Sequence, residues 1–161
     1  MAPAPDDQTP PIRLALIEPD MPGNVGTLIR LSACLGVPLD VVEPCGFPWG
    51  EARMRRAGLD YLPRAALTRH RSFQAFSDRV AGRLIFAETD AETPYTAFAF
   101  APGDVLMLGS EGPGVPPHAR AAAAAGVRVP LRPGLRSLNV AVAAAMILGE
   151  ALRQTGGFPT C

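Results

Sequence analysis

Val129-Pro130-Leu131-Arg132-Pro133-Gly134-Leu135-Arg136-Ser137-Leu138-Asn139 is the stretch on which the fold turns. It reads as a short apolar strand, then a proline and glycine loop, then a polar Ser-Leu-Asn step where an alanine-rich helix begins at once. Backbone amides and small polar side chains converge at such a helix start, which suits a bound small molecule. Two further polar clusters share this plan: Asn24-Val25-Gly26-Thr27-Leu28-Ile29-Arg30 and Leu108-Gly109-Ser110-Glu111-Gly112-Pro113-Gly114. Each follows a stretch that reads as a strand, and open α/β sheets hold their ligands at the carboxyl edge of such strands.

Working outward, residues 14–18, 39–42, 83–88, 105–109 and 127–131 read as strands, and residues 23–35, 72–81, 116–125 and 138–154 as helices. Gly36 is placed to cap the first helix. The alternation predicts an α/β fold, a mostly parallel sheet with helices on both faces. With 161 residues and 48% hydrophobic content, the chain can bury one real core and is too short for two ordinary domains. Residues 12–155 are expected to form that single domain, with a disordered tail at 1–11 and a frayed end at 156–161.

Fifteen basic and fifteen acidic residues cancel, which argues against coating nucleic acid by bulk charge. Every basic residue is an arginine, so chemistry that requires lysine is excluded. Cys34, Cys45 and Cys161 stand far apart with no Cys-x-x-Cys pair, which supports neither a disulfide framework nor a metal site and fits a reducing cytoplasm. The first eleven residues lack the basic start and apolar run of a signal peptide. The longest apolar stretch, 140–148, is far short of the roughly 20 residues that span a bilayer, so a soluble, cytoplasmic protein with no membrane partner is expected.

The glycine loop around Gly109 has the wrong spacing for a dinucleotide fingerprint and lacks the lysine of a phosphate-binding P-loop. An ordinary strand-to-helix turn would explain its glycines but gives no packing reason for Glu111. Asn24 falls near the start of its helix and Arg30 almost two turns along, where a guanidinium can fork onto a phosphate or carboxylate; in isolation each also reads as a helix cap or a solvated charge. From Arg53 to Arg71 the chain holds six arginines, among them Arg53, Arg55, Arg56 and Arg69, with His70 beside them and Trp49 and Tyr61 flanking the run. Charge mixed with stacking surface is what RNA binders use. Small residues Ala141, Ala143, Ala144 and Ala145 leave the last helix open to close approach by another helix, although alanine is also simply the best helix former.

Taken together, Glu18-Pro19-x-x-Pro22-x-Asn24-x-Gly26-x-x-x-Arg30, Leu108-Gly109-x-Glu111-x-x-Gly114-Val115-Pro116 and the stretch from Val129 to Asn139 resemble the three motifs of the SPOUT superfamily of knotted RNA methyltransferases. Gly46-Phe47-x-Trp49 and Arg55-Arg56-Ala57-Gly58-Leu59-Asp60-Tyr61 are similar, within it, to the small tRNA 2′-O-methyltransferases acting on the cytidine or uridine at the anticodon wobble position. The resemblance implies a C-terminal trefoil knot, an S-adenosylmethionine pocket, and a homodimer whose active site uses both chains.

Carried over residue by residue, the resemblance implies that Glu88, Gly109, Val129, Leu131, Ser137, Leu138 and Asn139 line the cofactor pocket and that Arg30 is catalytic. Asn24 and Glu111 would assist, Glu111 orienting Arg30 or Asn24 by a charge-assisted hydrogen bond. Arg53, Arg55, Arg56, Arg69, His70 and Arg136 would meet tRNA, and no metal is called for. Alternatives of other kinds are a 2′-O-methyltransferase for another tRNA or rRNA site, and a catalytically silent RNA-binding dimer of the same fold.

Overall fold

A computed structural model describes residues 10–50 and 59–160 of the chain. The expected tail falls almost wholly outside them, as do Arg53, Arg55 and Arg56.

In the first strand, β1 (Ile12–Ile17), Ile12, Leu14 and Leu16 pack into one hydrophobic cluster while Ala15 and Ile17 pack into another. A strand apolar on both faces belongs in a sheet's interior with helices on either side. Its parallel neighbours are β2 (Leu39–Val42) and β6 (Asp104–Leu108). Strand β6 repeats the pattern, with Leu106 and Leu108 on the first face and Val105 and Met107 on the second. With β3 (Leu67–His70), β4 (Leu84–Ala87), β5 (Thr93–Pro94) and β7 (Ala125–Arg128), the described strands form one parallel seven-stranded sheet in the order β3-β2-β1-β6-β4-β7-β5.

Helices α1 (Pro22–Leu35) and α4 (Val140–Thr155) cover one face through Val25, Leu28, Ile29, Ala144, Ile147 and Leu148. Helices α2 (Phe73–Ser77) and α3 (Pro117–Ala121) cover the other through Phe76 and Ala119. The chain steps outward from β1 to β3, crosses to β4, and only later returns to insert β6 between β1 and β4. This reversal of winding direction is where an open α/β sheet leaves a crevice at its carboxyl edge.

The helix ends obey local chemistry. Helix α1 stops at Gly36, whose φ of 65° turns the chain so that the Val37 amide also donates to the Ser32 carbonyl at 3.0 Å, and α2 starts at Ser72, whose side chain accepts from the Ala75 amide. Past α4, the Gly157 amide donates to the Leu152 carbonyl.

Three expectations about elements are corrected. The last strand was expected at 127–131 but runs over Ala125–Arg128, because Pro130 has no N–H for the ladder. The helix expected to reach residue 125 stops at Ala121, and the Ala124 amide instead pairs with the Leu84 carbonyl. Strands β3 and β5 lie in stretches that showed no strand signal; β5 is only two residues long.

His70 is also corrected. Placed among exposed RNA contacts by the sequence, it is buried, its Nε2 lying 2.7 Å from Asp40 Oδ1, with its ring edge-on to Phe76 at 5.3 Å between centroids. Asp40 is fully buried and also accepts from Arg13 Nε at 2.5 Å. A carboxylate so enclosed needs both partners to offset its desolvation. His70→Ala is therefore expected to lower unfolding free energy by about 1–3 kcal/mol by stranding one Asp40 oxygen, a loss read from urea denaturation; an unchanged midpoint would contradict this role.

Candidate functional site

The carboxyl ends of β1, β4, β6 and β7 lie on one edge of the sheet, and the loops leaving them carry the three polar clusters. They meet on one atom. Glu111 Oε1 accepts from Asn24 Nδ2 at 2.8 Å, from Asn139 Nδ2 at 3.3 Å and from the Val140 amide at 3.3 Å. Asn139 Nδ2 also donates to Asn24 Oδ1 at 3.0 Å.

Each partner reaches this point for a local reason. Asn24 is the third residue of α1, whose N-cap is Met21 without a side-chain cap bond, so the asparagine does not cap its own helix and its amide turns toward Glu111. Asn139 is the N-cap of α4, its Oδ1 accepting from the amides of Ala141 and Val142 at 2.8 and 3.2 Å. Capping occupies the oxygen and leaves the amide nitrogen for the cluster. Glu111 is held from behind by its own amide, which donates to Asp20 Oδ1 at 3.2 Å.

Beside this cluster opens a cleft of about 430 Å³ between the loop after β6 and the loop after β7. Of the residues implied for a cofactor, Glu88, Gly109, Val129, Leu131, Ser137 and Leu138 line it, and so does Arg136, which had been assigned to RNA. Asn139 does not line it; the asparagine stands next to it as cap and bridge. The β6 loop folds tightly back on itself, because a side chain at Gly109 would run into the backbone of Gly114, and Gly114 has a φ of +74°. Glu88 lines the cleft and accepts a hydrogen bond from the Val115 amide. Burial pushes its carboxyl above the ordinary carboxylate range, with Asp90 adding to the rise; the Val115 amide and the Arg120 guanidinium pull the other way.

Arg30 is elsewhere. It is exposed, does not line the cleft, and stacks its guanidinium over the Tyr61 ring at 4.8 Å from the centroid. Six residues past Asn24, it lies about 9 Å further along the helix axis at 1.5 Å per residue. Of the two partners considered for Glu111, the carboxylate bonds Asn24. Arg69, also exposed, forms an ion pair with Glu43 and lies over the Trp49 indole at 4.2 Å.

Sequence reasoning passed over Asp20, although a lone acid between Pro19 and Pro22 was a usable signal. It also passed over the cavity formed around Trp49 and Glu43. Among the described residues no helix is long and apolar enough to cross a membrane, and no group of three or more His, Cys, Asp or Glu gathers as if around a metal.

The elevated Glu88 carboxyl has a pH consequence. A carboxyl raised on folding contributes most when protonated, so its contribution is present below the unfolded value and lost as pH rises through the folded one. Glu88→Gln keeps an oxygen for Val115 and cannot ionise. Its stability relative to the parent protein should therefore improve as pH rises from the unfolded carboxyl value of about 4.3 through the raised folded one, read from urea midpoints at each pH; parallel stability profiles would refute the assignment.

Residues 11–149 match the model of the SpoU rRNA methylase family. A tRNA (cytidine(34)-2′-O)-methyltransferase of Beijerinckia indica is 55% identical over 146 residues, an alignment covering 89% of this chain and 91% of that protein. A protein of the same name from Ancylobacter novellus is 55% identical over 150 residues, covering 91% and 95% of the two chains. A solved structure described as giving insights into the 2-OH methylation of C/U34 on tRNA superposes with a TM-score of 0.84 at 35% identity, covering 91% of this chain and 97% of that one. Sheet order, the three convergent clusters and this similarity along nearly the whole chain lead to one conclusion: the chain belongs to the SpoU methylase family.

Proposed function

We propose that this protein transfers a methyl group from S-adenosylmethionine to the ribose 2′-hydroxyl of the wobble nucleotide of tRNA. The observation that carries the reading is the cleft between the β6 and β7 loops, sealed against the Asn24–Glu111–Asn139 cluster. Identity of 55% to relatives named for this reaction, over 91% or more of their length, favours tRNA over the ribosomal RNA in the family's description.

The cleft suits this cofactor by its chemistry. Val127, Leu138 and Ile147 give it apolar walls, and Gly109 and Ser110 bring backbone into reach. The chain contains no lysine, so the cleft lacks the phosphate cradle that a nucleoside triphosphate would demand. Bound there, S-adenosylmethionine supplies an electrophilic methyl group. In this reading Glu88, which lines the cleft, accepts from hydroxyl or amine donors of the cofactor. The β7 loop, anchored at Asn139, sets the cleft's open side.

A ribose hydroxyl is a poor nucleophile, so the protein must stabilise charge developing on its oxygen. Arg30 supplies the opposing positive charge as the hydroxyl proton leaves to water, and grips the adjacent phosphate through a forked hydrogen bond. Because Arg30 stands away from the cleft of its own chain, we assign it to the cleft of a second copy, in a homodimer. The exposed apolar residues Met21, Leu135, Val142 and Met146 (48%, 67%, 50% and 40% exposed) support this, with Val142 and Met146 one turn apart on α4 and surfaces of this kind marking association sites. The reading includes a trefoil knot, supported by the way the β7 loop returns against the β6 loop, and a cytoplasmic setting, where tRNA is found. It needs no metal.

Mapping 2′-O-methylated nucleotides in tRNA from cells with and without this protein tests the reaction; an unmodified wobble position in both overturns it. Arg30→Ala should lower the turnover rate roughly 10²- to 10³-fold while calorimetric S-adenosylmethionine affinity stays close to that of the parent. Val142→Asp combined with Met146→Asp should shift the mass in solution from two chains to one, measured by light scattering, and should abolish methylation with it; a parent protein that is already monomeric would sink the dimer.

A further inference from the structure

A second cavity, of about 380 Å³, opens on the same sheet edge between the loops that leave β2 and β3. Its size falls within the roughly 300–1,000 Å³ of ligand clefts, and its walls are unlike those of the first. Trp49 and Phe47 form a stacked pair with centroids 6.4 Å apart and planes 23° from parallel. Arg69 lays its guanidinium on the indole, and Glu43 holds that guanidinium by an ion pair. Exposed Arg71 enters the cavity from the end of β3.

This wall combines a π surface, the Trp49–Phe47 pair with the Arg69 guanidinium plane laid on the indole, with the second oxygen of the Glu43 carboxylate as acceptor and Arg71 as donor. A phosphate matches it poorly because the carboxylate faces inward. Burial and then Glu43 push the Cys45 thiol up, against the pull of Arg69, so the cavity offers no reactive thiolate at neutral pH. An unstacked nucleobase matches every part, with a face for the rings and an edge carrying both N–H and carbonyl groups.

The cavity is also coupled to the first site. The Gly46 amide donates to the Pro19 carbonyl at 2.9 Å, and Gly46 sits so close to Asp20 that an added side chain would press on it. Asp20 in turn accepts from the Glu111 amide. Strands β2 and β6, whose loops form the facing walls of the two sites, are separated only by β1, roughly 10 Å at about 4.8 Å per strand.

Resting on the tRNA reading above, we propose that the Glu43–Trp49–Arg69–Arg71 cavity is a base subsite that holds an unstacked nucleobase neighbouring the methylated nucleotide in the anticodon loop. The subsite selects an unpaired loop and sets the register in which the wobble ribose is presented.

Trp49 is the chain's only tryptophan, so its fluorescence reports on this cavity alone. The probe is an anticodon stem-loop RNA, alongside versions with an abasic nucleotide placed at each loop position in turn. The intact stem-loop should quench Trp49, and the quench should vanish with one abasic position beside the wobble nucleotide. Trp49→Ala should raise KM for the RNA about tenfold or more, the range of one lost base stack, with kcat and S-adenosylmethionine affinity held and Trp49→Phe restoring most of the loss. Methylation without any quench, or a quench that survives every abasic substitution, overturns the subsite while leaving the proposed reaction standing. Position-specific quench without wobble methylation does the reverse.

Discussion

One carboxylate oxygen organises this molecule's functional edge. Glu111 Oε1 gathers donors from residues 24, 139 and 140, tying its own loop to two others that the sheet topology brings to a common edge but does not itself join. Hydrogen bonds to a charged acceptor are stronger than neutral ones, and a charge left among half-buried amides without them would be costly. The cluster therefore fixes where α1 and α4 begin relative to the β6 loop. The cleft beside it inherits its shape from that arrangement.

The sheet explains why such an arrangement is available. Inserting β6 beside β1 places the β6 loop against the β1 loop, and the β7 loop reaches past the end of β4 to meet both. Because β1 and β6 are apolar on both faces, neither can shift register without exposing core, so their carboxyl ends are rigid mounts. Polar groups within the sheet obey the same constraint: Asp40 is tolerated in β2 only because Arg13 and His70 close on it from the flanking strands.

Much of this was legible beforehand. The alternation of apolar runs and helical stretches gave the parallel sheet and its two helical layers, and the polar clusters after strands marked the edge on which the cleft opens. Legibility failed where tertiary context overrode local pattern. The alanine run at 121–125 reads as helix by propensity, yet Ala125 starts a strand because β4 offers it a ladder. Leu67 to His70 is too short and too polar to read as a strand, and its burial of His70 depends on an aspartate 30 residues away. Arg30 was legible as a charge on a helix about 9 Å past Asn24, but its stacking on Tyr61 and its absence from the cleft wall depend on tertiary packing.

The sequence separations across the Glu111 cluster bear on how the protein is made. Asn24 and Asn139 are 115 residues apart, and Asn24 and Glu111 are 87 apart, so the cluster closes some of the longest loops in the chain, which is slow and entropically expensive. Synthesis proceeds from the N-terminus, and α1 emerges with its asparagine unpaired long before either partner exists. The start of α4, which completes the cluster, follows only after every strand has been made. A nascent chain can thus acquire its sheet while this edge is still unassembled, and the cluster closes only once the start of α4 has left the ribosome.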